Sequence, residues 1–439
     1  MKGSADATHA ETELDGQIDP DTGLPILAMP REGMPPLVDT DEMLAECIEE
    51  LRAGTGPVAI DTERAQSFRY SGRAYLLQLR RSGSGTWLID PQAFEPADGS
   101  VSDFSALRDA IIGAEWIIHA ANSDLPCLSE LGLLPERLFD TEMAGRLLGL
   151  PRVGLGPMTE AYFGVHLLKE HSAADWSRRP LPTDWVAYAA LDVELLIELR
   201  DLLRRQLHEA GKWSWARQEF QYMIDTHREP PAPAAEPWRH VNGLHSVRSR
   251  RGLALVREIW GERDRLAREL DRAPGKILPD RAISELAGQI TRDSPGMPGM
   301  AQMDAIMGFK RRGARRYRGR WVAASGRVAA MPESQLPRLR VPHEGPPHQP
   351  RSWQRTNPEA WRRWQRVRPA MNRLARALDV PPENLIAPET LRRLAWEPLE
   401  AVDREHAAEC LAAHGAREWQ CRLAAPVIVA ALGAAPSGE

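Results

Sequence analysis

Five side chains that could perform catalysis are spread over more than a hundred residues: Asp61, Glu63, Asp124, Tyr188 and Asp192. Asp61 and Glu63 end an apolar, β-branched run that predicts a buried strand, and their i, i+2 spacing points both carboxylates to one face. Tyr188 and Asp192 stand four residues apart in a predicted helix, so they share one helix face. The five side chains form a site only if the fold gathers them.

Carboxylates that are brought together repel one another and raise each other's pKa, so a cluster of them is costly unless cations lie between them. Such a cluster offers oxygen ligands alone, which suit Mg²⁺ or Mn²⁺. We therefore expect divalent metal ions as cofactors, and no small-molecule cofactor beyond metal.

The sequence around these residues predicts an α/β domain. A capped helix over 43–51 leads into the strand of Asp61. Two further strands, 75–79 and 86–90, are separated by a Gly/Ser turn, so we expect an antiparallel meander. The expected order then continues with a helix over 103–112, a strand over 116–120 and mostly helical sequence to about 210.

Length and composition indicate a globular protein of several domains, since 439 residues exceed one ordinary domain and the hydrophobic share is 43%. No stretch is apolar for the length of a membrane helix, and the N-terminus lacks the pattern of a signal peptide. We therefore expect a cytoplasmic protein without membrane contact, and we also expect a monomer. The four cysteines have no zinc-type spacing and are expected to be reduced thiols.

The two halves of the chain carry opposite charge. Residues 1–230 contain 21 Lys and Arg against 38 Asp and Glu, whereas residues 231–439 contain 35 against 23. A basic half predicts a polyanionic partner, because phosphate contacts supply most nonspecific nucleic-acid affinity. A biased, arginine-rich composition is the alternative explanation.

A helical unit is repeated in the basic half. Shifted by 108 positions, residues 265–287 and 373–395 share nine identities in 23 positions, including Asp271 with Asp379 and Pro274 with Pro382. Proline-rich segments precede both copies and predict linkers.

The order Asp-x-Glu, lone Asp and Tyr-x-x-x-Asp resembles the DEDD 3′ to 5′ exonucleases of the subclass with tyrosine in the last motif. Ile60-Asp61-Thr62-Glu63, the stretch 119–125, Phe139-Asp140-Thr141 and the stretch 176–181 resemble ribonuclease D in particular. The two helical copies look like HRDC domains. The resemblance implies a ribonuclease H-like mixed-sheet exonuclease domain followed by two small all-α HRDC domains.

The resemblance also implies roles for the site residues. Asp61, Glu63 and Asp192 would hold the metal that activates water, and Asp61 would bridge to a second metal held through Asp124, so two divalent ions are expected. The implied activity is 3′ to 5′ hydrolysis of RNA, with tRNA precursors and other small structured RNAs as substrates. Tyr188 has too high an ordinary pKa to be a base at neutral pH, so we assign it to aiming the water.

The expected domain plan has six parts. A disordered tail (1–36) precedes the exonuclease domain (37–227), a proline-rich linker (228–240), a first HRDC domain (241–325), a second linker (326–353) and a second HRDC domain (354–436).

Other residues are candidates for RNA contact. Basic and aromatic residues alternate in the run 310–321, as single-stranded RNA favours, and the candidates there are Arg311, Arg312, Arg315, Arg316 and Tyr317. Arg178 and Arg179 precede the Tyr188 helix and could grip phosphates. The alternatives are a solvated helix end and a solvated loop.

Three further interpretations stay open from the sequence. Asp140 fits the family pattern but could equally cap the helix that follows it. The DEDD residues do not distinguish RNA from DNA as the substrate, so a DNA exonuclease is one alternative. An RNA-binding scaffold with an inactive nuclease domain is the other.

Overall fold

The computed structural model describes residues 17–97, 102–168, 171, 173–230, 232–291, 296–340, 345–347 and 349–433. These residues form an α/β domain and two helical units. The strands are β1 (Ile26–Leu27), β2 (Leu37–Val38), β3 (Thr55–Arg64), β4 (Ala74–Ser82), β5 (Gly85–Ile89), β6 (Glu115–Ile118), β7 (Arg137–Asp140) and β8 (His166–Leu167). The helices of the α/β domain are α1 (Asp41–Ala53), α2 (Ser105–Ile111), α3 (Leu125–Glu130), α4 (Thr141–Leu147), α5 (Leu155–Phe163), α6 (Thr183–Glu194), α7 (Leu196–Glu209) and α8 (Trp213–Thr226).

Six strands form one mixed sheet in the order β2-β5-β4-β3-β6-β7. The pairs β3/β4 and β4/β5 are antiparallel, which confirms the predicted meander, and β6 and β7 run parallel to β3 and to each other. β3 lies inside the sheet, and its residues Val58, Ala59 and Ile60 are buried. The part of β3 just before Asp61 and Glu63 is therefore held from both sides.

The expected disorder of the N-terminal tail is wrong for residues 17–36, whereas residues 1–16 lie outside the described part of the chain. β1 pairs in parallel with β8. Arg31 donates from Nε to Oε1 of buried Glu194 at 2.7 Å and from Nη2 to Glu198 at 2.6 Å. Composition predicted disorder because the segment has few apolar residues to bury. The hydrogen bonds of Arg31 to buried Glu194 and to Glu198 hold the segment in place instead.

The basic half forms two helical units. The first contains α9 (Arg250–Glu269), α10 (Pro274–Ile277), α11 (Asp280–Gly288), α12 (Met300–Ala305), α13 (Met307–Lys310), α14 (Arg312–Arg316) and α15 (Arg318–Ala329). The second contains α16 (Trp353–Thr356), α17 (Pro358–Ala377), α18 (Pro382–Leu385), α19 (Pro388–Trp396), α20 (Arg404–Ala413) and α21 (Glu418–Gly433).

The repeat found in the sequence is a repeat of structure. With the same shift of 108 positions, both ends of α9, α10 and α11 coincide with those of α17, α18 and α19. Asp271 and Asp379, which follow the first helix of each unit, both have positive φ, at 40° and 51°. Aspartate tolerates this conformation better than most residues.

The packed first unit extends beyond the domain bounds predicted from proline at both of its ends. The 3₁₀ turn Pro237–His240 belongs to the first unit, because Trp238 is buried in its core. α15 runs through the predicted boundary at 325/326, and Leu336 packs in the same core. The proline-rich stretches show where the chain leaves one unit, but they do not show which residues pack into the core of the first helical unit.

The second unit shares a continuous core with the α/β domain. The rings of Trp215 and Trp419 stack at 4.8 Å and 9°, and Glu219 accepts from Trp419 Nε1 and Arg417 Nε, both at 2.8 Å. No helix in the described part of the chain is both long enough and apolar enough to cross a membrane.

The Arg31 contact gives a test of the N-terminal anchor. Arg31→Ala should lower the free energy of unfolding by about 2–3 kcal/mol, because it leaves the buried Glu194 carboxylate short of a partner. Urea unfolding followed by circular dichroism measures the change. The control is Arg52→Ala, which breaks an exposed pair with Glu49 and should cost less than about 0.5 kcal/mol. Equal effects of the two substitutions would contradict the anchor.

Candidate active site

Asp61 and Glu63 lie on the part of β3 that extends past its parallel neighbour. β6 pairs with β3 at Val58 and Ala59, and Ile118 is the last residue of β6. β4 continues to pair with β3 opposite both acids. Among the described residues, no strand pairs with this side of β3 beside the two carboxylates.

The chain that leaves β6 brings Asp124 to this gap. Ala120 adopts a left-handed conformation with φ 61°, and the 3₁₀ turn Ala121–Ser123 follows. The Asp140 carboxylate accepts from the backbone N–H of Ala120 at 3.2 Å and of Ala121 at 2.8 Å, and it caps α4 through Met143 N at 3.0 Å. The capping interpretation of Asp140 is confirmed, and the same carboxylate also holds the turn before Asp124.

Asp124 is buried beside β3. Thr62 Oγ1 donates to its Oδ1 at 2.5 Å. The Cys127 thiol donates to the Asp124 carbonyl at 3.1 Å and lies 3.2 Å from Thr62 Oγ1. Thr62, between the two acids of β3, thereby ties the lone aspartate to the same strand.

α6 brings Tyr188 and Asp192 to the cluster, because this helix packs on β3, β4 and β5. One carboxylate oxygen from each of Asp61, Glu63 and Asp192 lies within 4.8 Å of the others. Asp124 is close enough to raise the pKa of Asp61 by repulsion. The fold thus gathers all four acids and the tyrosine.

Burial and mutual repulsion dominate the electrostatics of this cluster. Burial, followed by the charge of Asp192 and Asp124, raises the pKa of Glu63 to about 9. Burial, followed by the charges of its three acidic neighbours, raises the pKa of Asp61 well above its ordinary range. Arg64 opposes both shifts. Excess negative charge of this kind is what a bound divalent cation would neutralise.

Tyr188 is mostly buried between aromatic side chains. Its ring centroid lies 5.8 Å from that of His171 and 6.3 Å from that of Trp176. Burial first, and then the charges of Asp192 and Glu63, raise the pKa of its hydroxyl, which donates to Asp192. The phenol therefore keeps its proton at neutral pH and acts as a donor.

A network that the sequence did not reveal joins the loops on both sides of the cluster. Arg69, in the loop after β3, donates from Nε to Ser177 Oγ at 2.7 Å. Asp271 of the first helical unit accepts from the backbone N–H of Tyr70 at 3.2 Å and of Ser71 at 3.4 Å. Contacts over a hundred residues apart leave no local pattern, so spacing could not predict them.

The phosphate-binding role expected for Arg179 is wrong. Its five N–H donors are directed at oxygens within the domain, two of them on Asp90 at 2.5 Å and the others on backbone carbonyls, including that of Tyr75 at 2.8 Å. Arg179 is a structural residue, since it has no donor left for a phosphate. Arg178 is exposed, and among the described residues its side chain has no ion pair.

The predicted RNA-contact cluster lies on α14 and beside it. Arg311, Arg312, Arg315 and Arg316 are exposed and have no ion pairs within the described part of the chain. The Arg316 guanidinium lies 5.9 Å from the centroid of the Tyr317 ring. These side chains are therefore open to solvent.

The α14 cluster is connected to the loop after β3. A Cβ atom on Gly313 would lie 2.5 Å from the Lys276 carbonyl oxygen, so α14 packs closely on α10. Lys276 Nζ in turn lies 4.9 Å from the centroid of the Phe68 ring. The basic cluster is thus two contacts away from the loop that follows Asp61 and Glu63.

Three family models match this chain. Residues 35–208 match a model described as 3′-5′ exonuclease, residues 252–324 match the HRDC domain, and residues 345–432 match a model described as 3′ to 5′ exonuclease C-terminal domain. The second unit thus shares its helix bounds with the first but matches a different model, and its description as an HRDC domain stays a prediction.

The relatives agree with the family models. Ribonuclease D of Escherichia coli is 31% identical over 307 residues, which are 69% of this chain and 76% of that protein. A protein of Bifidobacterium adolescentis of solved structure is 38% identical, with a TM-score of 0.82 over 94% of this chain and 100% of that one. The structure of Escherichia coli RNase D, an exoribonuclease, has a TM-score of 0.64 at 24% identity and covers 91% of this chain and 98% of that one. This chain belongs to the ribonuclease D family of 3′ to 5′ exoribonucleases.

Proposed function

We propose that this enzyme removes nucleotides from the 3′ ends of tRNA precursors and other small structured RNAs, using two divalent ions, Mg²⁺ or Mn²⁺. The observation that carries the proposal is the convergence of four carboxylates and a protonated tyrosine from β3, α6 and the turn after β6. We further propose that it acts as a monomer in the cytoplasm. Its four cysteines are free thiols, which suits a reducing compartment.

The residues fit a metal centre. The atoms that would bind metal are carboxylate oxygens. Burial first, and then the neighbouring carboxylates, raise the pKa values of Asp61 and Glu63, and a divalent cation would favour the ionised forms. We assign Asp61, Glu63 and Asp192 to one ion, and Asp61 with Asp124 to the other. When bound, such ions supply charge stabilisation for the attacking and leaving oxygens of phosphodiester hydrolysis.

Tyr188 would position the attacking water. Because burial keeps its hydroxyl protonated, it can donate a hydrogen bond but cannot serve as a base at neutral pH. The single proton of this hydroxyl is donated to Asp192, which fixes where the hydroxyl points, so the water would contact the hydroxyl oxygen through a lone pair. The aromatic contacts with Trp176 and His171 limit the orientations that the Tyr188 ring can adopt.

The RNA 5′ to the scissile bond would run over the loop after β3 to the α14 cluster. An open cavity of about 210 Å³ lies beside Glu63 and is lined by Arg64, Gln66 and Ser67 among others. Its size and polar lining suit part of a terminal nucleotide. The arginines of α14 would then hold phosphates further from the 3′ end.

The direct test is an assay of the purified full chain. It compares 3′-extended tRNA, unstructured RNA and single-stranded DNA as substrates, with Mg²⁺, with Mn²⁺ and with EDTA. Release of mononucleotides from the tRNA extension in the presence of either metal is expected. Activity on DNA alone would overturn the RNA proposal, and activity that persists in EDTA would overturn the metal proposal.

Replacing single acids tests the ligand assignment. Asp61→Asn, Asp124→Asn and Asp192→Asn should each lower kcat by about 10³-fold or more, because each removes a metal ligand. Single-turnover nucleotide release measures the effect, and circular dichroism checks the fold. Asp109→Asn, at an exposed aspartate, is the control and should leave the rate unchanged. Near-normal rates in any of the three variants would refute its assignment.

The stability of the metal-free protein should fall as the pH rises. The pKa of Glu63 is about 9 in the folded chain against its ordinary 4.5, so the folded state holds a proton that the unfolded chain releases. This contribution is complete below about pH 4.5 and is lost as the pH rises toward about 9. In EDTA, the melting temperature should decline between about pH 5 and pH 8, and Glu63→Gln should flatten the decline. Parallel curves for the two proteins would contradict this interpretation.

Tyr188→Phe should lower kcat by about 10²-fold with little change in RNA affinity, because the lost hydrogen bond acts on water in the transition state. Rates under saturating substrate and binding in Ca²⁺ separate the two quantities. Tyr162→Phe is the matched control, since that hydroxyl bonds to Gln206 instead of the cluster. If affinity and rate fell together, Tyr188 would dock the substrate instead.

Neutralising the α14 cluster should weaken the binding of structured RNA. Replacing Arg311, Arg312, Arg315 and Arg316 by Gln should reduce the slope of log affinity against log salt by up to about 3, since each phosphate contact contributes roughly 0.7–0.9. Filter binding of 3′-extended tRNA over a salt series measures the slope. Replacing Arg52 and Arg108, on α1 and α2, is the control. An unchanged slope would show that the cluster does not contact RNA.

A further inference from the structure

Gln78 is a buried glutamine in the middle of β4 that none of the roles above uses. Its side chain is completely buried, and neither its amide nitrogen nor its amide oxygen has a hydrogen-bond partner. A buried amide without a partner costs roughly 1–3 kcal/mol, so an apolar side chain of similar shape would stabilise the fold more at this position. A group of this kind indicates a partner that it meets only in another state of the enzyme.

The strand register aims Gln78 at Asp61. β3 and β4 pair without irregularity from Val58 to Glu63, and in this register Gln78 stands directly opposite Asp61. Residues directly opposite each other on antiparallel strands project to the same face, with Cβ atoms about 4.5–5.5 Å apart. The extended Gln78 side chain can therefore reach the Asp61 carboxylate, whereas the next β4 residue on that face, Leu76, stands opposite Glu63.

Asp61 lacks the neutral donor that two of the other acids have. Thr62 Oγ1 donates to Asp124 at 2.5 Å, and the Tyr188 hydroxyl donates to Asp192. Within the part of the chain that the structure describes, no side chain donates to Asp61. Asp61 is nevertheless the acid that we assign to both ions, so its orientation matters for each of them.

We infer that Gln78 is a positioning residue for Asp61: in the metal-bound enzyme its amide N–H donates to the Asp61 carboxylate and fixes the direction in which that carboxylate meets both ions. The inference rests on the proposed metal centre and adds to it a residue that binds no metal and touches no substrate. Loss of a donor behind a metal ligand lowers metal affinity by about 10–100-fold.

Glu194 is the other candidate partner for this amide. α6 packs on β4, and Glu194 Oε2 on this helix is buried without a hydrogen bond. The Glu194 carboxylate already has two guanidinium groups, however, with Arg31 Nε at 2.7 Å from Oε1 and Arg80 Nη1 at 3.7 Å from Oε2. Asp61 is surrounded by other carboxylates instead, so an amide N–H stabilises its charge more.

Gln78→Met, which removes the amide and keeps a side chain of similar length, should change stability and metal binding in opposite directions. In EDTA the melting temperature of the full chain should rise by about 2–4 °C, because the metal-free fold no longer buries an unpaired amide. The affinity for Mn²⁺, measured by isothermal titration calorimetry, should fall by about tenfold or more. Leu76→Met, at the next position of the same face, is the matched control and should leave the Mn²⁺ affinity unchanged.

The rate of nucleotide release gives a second measurement. At limiting Mn²⁺ the rate of Gln78→Met should be about tenfold below that of the unsubstituted chain. Saturating Mn²⁺ should restore most of this loss, since a weakened site is filled by mass action. Gln78→Leu, which also lacks the amide, repeats each measurement if the methionine variant does not fold.

Unchanged Mn²⁺ affinity in the Gln78 variants would overturn the inference. So would a lower melting temperature of Gln78→Met in EDTA, because the amide would then have a partner in the metal-free fold, as Glu194 would be. An equal loss of Mn²⁺ affinity in Leu76→Met would show that packing beneath α6, and not the amide, controls the site. If the unsubstituted chain bound no Mn²⁺, the proposed metal centre itself would be wrong, so the two failures can be told apart.

Discussion

The mutual repulsion of carboxylates at the free end of β3 is the constraint on which the rest of this fold depends. Oxygens of Asp61, Glu63 and Asp192 lie within 4.8 Å of one another in a largely buried place, where like charges interact more strongly than in water. Without a cation, the folded chain must retain protons there, as the raised pKa of Glu63 shows. The surrounding structure has to hold three elements together against this force.

Hydrogen bonds and an ion pair outside the cluster provide that support. Asp140 holds the turn before Asp124 through backbone N–H groups, and Thr62 ties Asp124 to β3. Arg179 uses its donors on Asp90 and on backbone carbonyls of β4 and of its own loop, which fixes the segment before α6. These residues neither donate to a substrate nor bind a metal in our assignment. Substitution of Asp140, Thr62 or Arg179 would instead loosen the positions of the carboxylates that we assign as metal ligands.

The sequence predicted what depends on local periodicity. The shared face of Asp61 and Glu63 on β3, the shared face of Tyr188 and Asp192 on α6 and the antiparallel meander were predicted in this way, and the sequence repeat corresponds to a repeat of helices. It failed where distant contacts decide the outcome. Arg179 was expected to hold phosphate, because local spacing could not show that its partner is Asp90, 89 positions away. The segment around Arg31 was expected to be disordered, because local composition could not show that Arg31 binds Glu194, 163 positions away.

The duplicated helical frame is used for two different contacts. In the first unit the carboxylate of Asp271 accepts from the backbone of the loop after β3, the strand that carries Asp61 and Glu63. In the second unit, Asp379 occupies the same position and has the same left-handed backbone conformation. Its carbonyl oxygen accepts from Lys212 Nζ at 3.1 Å, beside α7 and α8. The same corner of the repeat therefore contacts the loop beside Asp61 and Glu63 in one unit and the start of α8 in the other.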